Sequence, residues 1–163
     1  MGGAALAGRL AAETRALLDH LPSAVAASAT LPFDGAGGED ERRTWAYWPT
    51  DRRGVPLHAL DRAATKAVHR VLSVLLPPAA FARTATVMAL DEVLDRAEGF
   101  ASERRHRDDY WVSVFREPGA PAWGWRFEGH HVSVHATVVE GDVHLTPLFL
   151  GANAAVGPRR AGW

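Results

Sequence analysis

The sequence predicts an α+β fold: N-terminal helices packed on a mainly antiparallel sheet formed by the C-terminal half. Three observations carry this expectation. Apolar residues recur near the helical spacing of 3.6 in the stretches before Gly99, and the period switches to two from Tyr110 onward. Helices come first and strands second, rather than alternating, which is the order of α+β domains. Glu140-Gly141-Asp142 between two apolar-alternating runs marks a tight hairpin, the connection that joins antiparallel neighbours.

The elements follow in order. Residues 4–20 read as a helix with Leu6, Leu10, Leu17, Leu18 and Leu21 on its apolar side. A break at Pro22 allows a short second helix to about Thr30, and the Gly-rich, acidic LPFDGAGGED reads as a loop. RRTWAYWPTDRRGVP suggests a short extended piece ending in a turn, flanked by Arg42, Arg43, Arg52 and Arg53. Pro56 suits the first position of a strong amphipathic helix buried along Leu57, Leu60, Ala64, Ala67, Val68, Val71, Leu72 and Leu75. Pro77-Pro78 ends that helix and opens another, with Phe81, Ala85, Val87, Met88, Leu90 and Leu94 as its apolar positions and Gly99 as its left-handed cap. SERRHRDD is a polar link. Strands then follow at Tyr110–Phe115, around Trp123–Glu128, along HHVSVHATVV and through VHLTPLFLG.

Composition narrows the function. The chain has 163 residues, consistent with one domain over 1–163, and a formal net charge of −1, which argues against nucleic-acid or acidic-membrane partners. It contains no cysteine, so disulfides, thiolate zinc sites, iron–sulfur clusters and a cysteine nucleophile are excluded. Lys66 is the single lysine against seventeen arginines, as a GC-rich bacterial coding sequence would give. Arg9, Glu13 and Arg15 interrupt the N-terminal apolar residues and no run is long enough to span a membrane, so a cytoplasmic location is expected. Dinucleotide, P-loop and nucleophile-elbow motifs are absent, as is the H-E-x-x-H zinc motif.

The most specific segment is WGWRFEGHHVSVHAT, residues 123–137, with TPLFLGAN downstream. It resembles the signature of the family called domain of unknown function 3500: Trp-Gly-Trp-x-Phe-x-Gly-His-His, then Thr-Pro-x-Phe-x-Gly-Ala. Trp45 to Pro49, the Arg53-Gly54 turn, the long amphipathic helix and Asp109-Tyr110 are similar too. The resemblance covers 41–153, after a helical segment and loop over 1–40. It differs at His135, where members usually carry Asn. Members usually continue beyond the Gly-Ala-Asn element with a second half, so the chain resembles an N-terminal half and 154–163 a tail where that continuation would begin.

Histidine chemistry is the candidate function. His130 and His131 are candidate metal ligands or an acid/base pair, the expected cofactor being a divalent metal ion of unassigned identity. On one flat strand, adjacent residues point to opposite faces, so both could serve one ion only if a bulge at Gly129 re-aimed one of them. If Glu140-Gly141 is a two-residue loop, residue 137 pairs with 144, and His144 lies diagonal to His135 as a second candidate pair. Trp123 and Trp125 are candidate walls of a substrate pocket with Arg126 beside them. The plainer alternatives are a core face for the tryptophans and a solvated salt bridge for Arg126 and Glu128. Mixed solvated charge is the plain account of the Arg clusters at 42–43, 52–53 and 104–107.

Two functions follow. The first is a metal-dependent enzyme acting on a small polar molecule, with His130 and His131 as catalytic and metal residues and Trp123, Trp125 and Arg126 binding substrate. The second is a non-catalytic binding or interaction module, associating with its own copies through an exposed sheet edge.

Overall fold

The computed structural model describes residues 2–35, 37–101 and 107–151. Helix α1 spans Gly3–His20, α2 Ser23–Ala29, α3 Gly38–Arg43, α4 Arg62–Leu75 and α5 Pro78–Ala97. The strands are β1 Thr30–Leu31, β2 Val55–Pro56, β3 Trp111–Phe115, β4 Ala122–Glu128, β5 Val132–Val139, β6 Asp142–His144 and β7 Leu148–Leu150. The helices-then-sheet order is as the periodicities imply. The Arg cluster at 104–107 falls largely outside the described residues, which resume at Arg107.

Three long strands, β3, β4 and β5, run antiparallel at the centre of the sheet. Each outer edge is covered by two short strands placed end to end. β1 and β2 share the free side of β3, and β6 and β7 share that of β5. All pairings are antiparallel except β1 with β3. The hairpin register is as expected: Val139 pairs with Asp142 and Thr137 with His144. Glu140 and Gly141 both carry positive φ (51° and 87°), the backbone a two-residue turn of right-handed twist requires.

Register sorts the side chains onto two faces. Val112, Val114, Trp123, Trp125, Phe127, Val134, Ala136 and Val138 share one face, and α1 and α4 cover it with Leu10, Leu17, Ala67, Val68, Val71 and Leu72, forming the core. Tyr110 and Phe127 stack there with ring centroids 5.4 Å apart. Trp111, Ser113, Phe115, Arg126, Glu128, Ser133 and His135 share the opposite face. That second face is not solvated, as a simple helix-on-sheet packing implies, because α3 and residues 44–54 fold over it.

Five local differences from the sequence expectation stand out. Gly38–Arg43, read as part of a loop, is a short helix with three acids in its first turn and two arginines in its last, a charge order that complements the helix dipole. α4 begins at Arg62 rather than Pro56. Pro56 is held opposite Trp111 in β2, and the Asp61 carboxylate caps Ala64 N at 2.8 Å. VHLTPLFLG is two strands rather than one, separated at a cis Thr146-Pro147 bond, and Thr30-Leu31 adds an edge strand where a helix end was expected. The buried line of α5 is Thr84, Met88 and Asp91, not the purely apolar face its leucines suggest.

Candidate metal centre at the β4–β5 bend

Gly129, His130 and His131 lie outside both strands, in the bend that joins β4 to β5. Strand alternation therefore does not apply to them, and the two imidazoles meet with centroids 3.9 Å apart. Gly129 makes this path possible. A Cβ there would stand 2.6 Å from the Tyr110 ring and 2.9 Å from the Asp109 carbonyl, so the backbone passes flat against Tyr110. The chain then turns both histidines toward α5.

Asp91 on α5 meets them. It is fully buried, and its Oδ1 accepts a hydrogen bond from His131 Nδ1 while its Oδ2 accepts one from the Tyr110 hydroxyl. His130 Nε2 lies 3.5 Å from the same Oδ1. One nitrogen from each histidine and one carboxylate oxygen thus converge within 4.8 Å of one another. Donors at about 2.1 Å from a common ion stand roughly 3.0–3.4 Å apart at octahedral to tetrahedral angles, so the spacing suits one ion after small rotations. Desolvation first, then the charge of Asp91 and the hydrogen bond to it, push the Tyr110 phenol well above its ordinary pKa. It therefore remains a donor that orients Asp91, as outer residues orient metal-ligating carboxylates.

His130, itself 4 % exposed, is the member of the trio that borders a cleft. This cleft of about 130 Å³ is also lined by Asp51, Arg52, His58, Asp109 and Trp111. A second space of about 220 Å³ adjoins along Thr50, Asp51 and Arg52, walled by Trp45, Trp48 and Glu128. Arg52 shapes both. Its guanidinium donates to the carbonyls of Thr50 (2.7 Å), Ala46 (2.8 Å) and Trp48 (3.3 Å), winding the 46–50 segment around itself, and it lies 5.6 Å from the Trp111 ring. Desolvation lowers its pKa, opposed by the nearby Glu128 carboxylate.

The other sequence-derived candidates fall elsewhere. Trp123 and Trp125 are both 1 % exposed within the core and line neither of these clefts. Arg126 is equally buried, a staple rather than a solvated pair. It holds Glu41 at 2.6 Å and Glu128 at 3.0 Å, and donates to the Glu41 and Thr44 carbonyls, tying α3 to the sheet. His135 faces Glu128 at 3.7 Å, whereas His144 is exposed at the sheet end. Asp91 was absent from the sequence expectation. Thr84, Met88 and Asp91 follow helical spacing, but Met88 is the one apolar residue among them, so the sequence does not mark this stripe as buried.

A sequence profile of the family described as "Protein of unknown function (DUF3500)" matches residues 4–162. The chain belongs to this family. No curated protein and no solved structure matches it. The DUF3500 match reaches from α1 through the His-His bend, so the helix layer belongs to the matched region together with the Gly-His-His segment. Among the described residues, no helix is long and apolar enough to cross a membrane.

Proposed function

We propose that this DUF3500 protein is a metal-dependent enzyme acting on a small polar molecule, with Asp91, His130 and His131 as the ligands of one divalent ion. The observation that supports this most directly is the convergence of the buried Asp91 carboxylate on two sequence-adjacent imidazoles. Two histidines and one carboxylate form the donor set of mononuclear iron and catalytic zinc sites, which keep coordination positions open. The ion would take the place of the proton between His131 Nδ1 and Asp91 Oδ1, and that proton would move to the Nε2 of the same ring. A bound ion would supply Lewis acidity beside the cleft that His130 lines. The residues of the chain do the rest: Tyr110 fixes the carboxylate, Gly129 sets the bend, and Arg52 holds the cleft wall.

Metal analysis and calorimetric titration with Fe(II), Mn(II) and Zn(II) test this on untagged protein. About one equivalent is expected in the parent, with binding lost in Asp91→Asn, His130→Ala and His131→Ala. Tyr110→Phe, which keeps all three ligands, is expected to weaken binding by about 10–100-fold. A folded parent that takes up none of the three ions overturns the proposal and leaves the trio as a polar clamp between α5 and the sheet.

A further inference from the structure

The polar layer beneath residues 44–54 contains two guanidinium groups and two carboxylates. Arg52 comes from the covering segment, Arg126 and Glu128 from β4, and Glu41 from α3. His135 of β5 joins them and is buried like Arg126 and Glu128. Its uncharged neighbours are Ser113, Ser133 and the Pro147 carbonyl, which accepts from His135 N at 3.2 Å. The two oxygens of Glu128 are held differently. Oε1 faces Arg126 Nε at 3.0 Å. Oε2 stands 3.9 Å from Arg52 Nε and 3.7 Å from His135 Nε2, and none of these three atoms makes a hydrogen bond. One acceptor thus sits between two nitrogens, each just beyond bonding reach.

Histidine is the side chain whose ordinary charge change falls between pH 5 and 8, so His135 is the member of this layer able to upset its balance. A proton there sets three cations against two carboxylates in a place shielded from water, where an unpaired charge is costly. Attraction to the imidazolium draws Oε2 toward His135. The cation then left without a partner is Arg52. Arg126 also holds Glu41 at 2.6 Å, whereas the bonds of Arg52 go to the carbonyls of Ala46, Trp48 and Thr50 in its own segment and travel with it. That segment is tied to the sheet at its two ends. Arg126 donates to the Thr44 carbonyl at 3.2 Å, and Ser113 Oγ to the Arg53 carbonyl at 2.9 Å. Between these ties, the Arg52–Glu128 pair is its charged link to the sheet and Trp45 against Phe149 its aromatic one.

We infer that His135 is an acid-operated latch on residues 45–52: a proton on its ring draws Glu128 from Arg52 and releases the middle of the segment from the sheet. The latch is closed at pH 8 and open at pH 5. Because residues 49–52 wall the cleft that His130 borders, it regulates access to that cleft. It needs no bound ion, so it goes beyond the metal assignment and does not rest on it.

The chain has no cysteine, so one introduced thiol reports on one place. Ala46→Cys puts it in the covering segment and Ala136→Cys in the core, both at buried positions. Labelling by dithiodipyridine is followed from pH 8 to pH 5 on metal-free protein, relative to glutathione at each pH. The thiol at 46 is expected to react about tenfold or more faster at pH 5 than at pH 8, while the thiol at 136 stays protected. Adding His135→Asn is expected to keep the rate at 46 low at both pH values, and adding Glu128→Gln to keep it high at both. His58→Asn, which removes another histidine of the cleft, and Asp91→Asn, which removes a proposed metal ligand, are expected to retain the response. The Asp91→Asn arm separates the latch from the outcome of the metal proposal. A rate at 46 that ignores pH overturns the inference, as does a response that survives His135→Asn or an acceleration at 136 equal to that at 46.

Discussion

At Gly129, one methyl group separates a functional bend from a broken one. An alanine Cβ would meet the Tyr110 ring at 2.6 Å, and that ring is itself stacked on Phe127 and hydrogen-bonded to Asp91. Gly129→Ala is expected to destabilise the protein by about 1–3 kcal/mol through overpacking. Loss of metal binding should accompany it, and urea denaturation with parallel titration reads both effects. The same residues show what a sequence reveals at this scale. His130 and His131 stand out because two Gly, two Trp and two His recur at fixed spacing. Asp91 does not, because it lies forty positions upstream and a helical acid flanked by Glu92 and Asp95 reads as solvent-facing. Trp45 and Trp48 were visible as unusual, but only the fold shows that they stay exposed while Trp123 and Trp125 are buried.

Elements were most legible where one physical rule acted alone. The stripe of α4 matches the periodic pattern because apolar burial determines it: Ala64, Ala67, Val68, Val71, Leu72 and Leu75 are all buried. Its start was misplaced because two rules compete at Pro56, helix initiation and strand pairing, and β2 pairing prevails. Asp61 then becomes the cap. Asp61→Ala is expected to cost about 1 kcal/mol, measured as a lower urea midpoint at an unchanged slope. The close approach of residues 53–54 to β3 follows similar logic. Gly54 has φ +104° and no room for a Cβ, which would stand 2.2 Å from the Val112 carbonyl, and this contact lets the strap close over the sheet. No local periodicity encodes such a crossing, so the covered second face could not be read from the strands alone.

For the whole molecule, two groups set a pH window. Burial depresses the His69 pKa, so the fold holds this ring neutral beside Phe81. Its contribution is present above about pH 6.5 and is lost as the pH falls toward the depressed folded value, because the unfolded chain takes the proton first. Tyr110 acts at the other end. Its raised pKa keeps the fold protonated while the unfolded chain ionises, so stability falls as the pH rises above about 10. Chemical denaturation across pH 5–11 is expected to show both losses, with His69→Gln flattening the acid limb and Tyr110→Phe the alkaline one. Fold class was legible at this scale because helices and strands occupy separate halves of the chain. The polar layer of Arg52, Arg126, Glu128 and His135 was not, because alternation identifies a second face without saying what covers it.

The buried line of α5 has a further consequence. After Met88, Asp91 is the one α5 residue fully withdrawn from solvent, while Leu90 and Leu94 are half-buried, so a carboxylate takes a leading part in mooring the last two turns of this helix to the sheet. Local opening of a segment costs only what its own contacts supply. The backbone amides of those turns should therefore exchange with solvent at a rate governed by the state of Asp91. An ion shared with His130 and His131 would slow that exchange, and its departure would quicken it, making the end of α5 a built-in gauge of the site's occupancy.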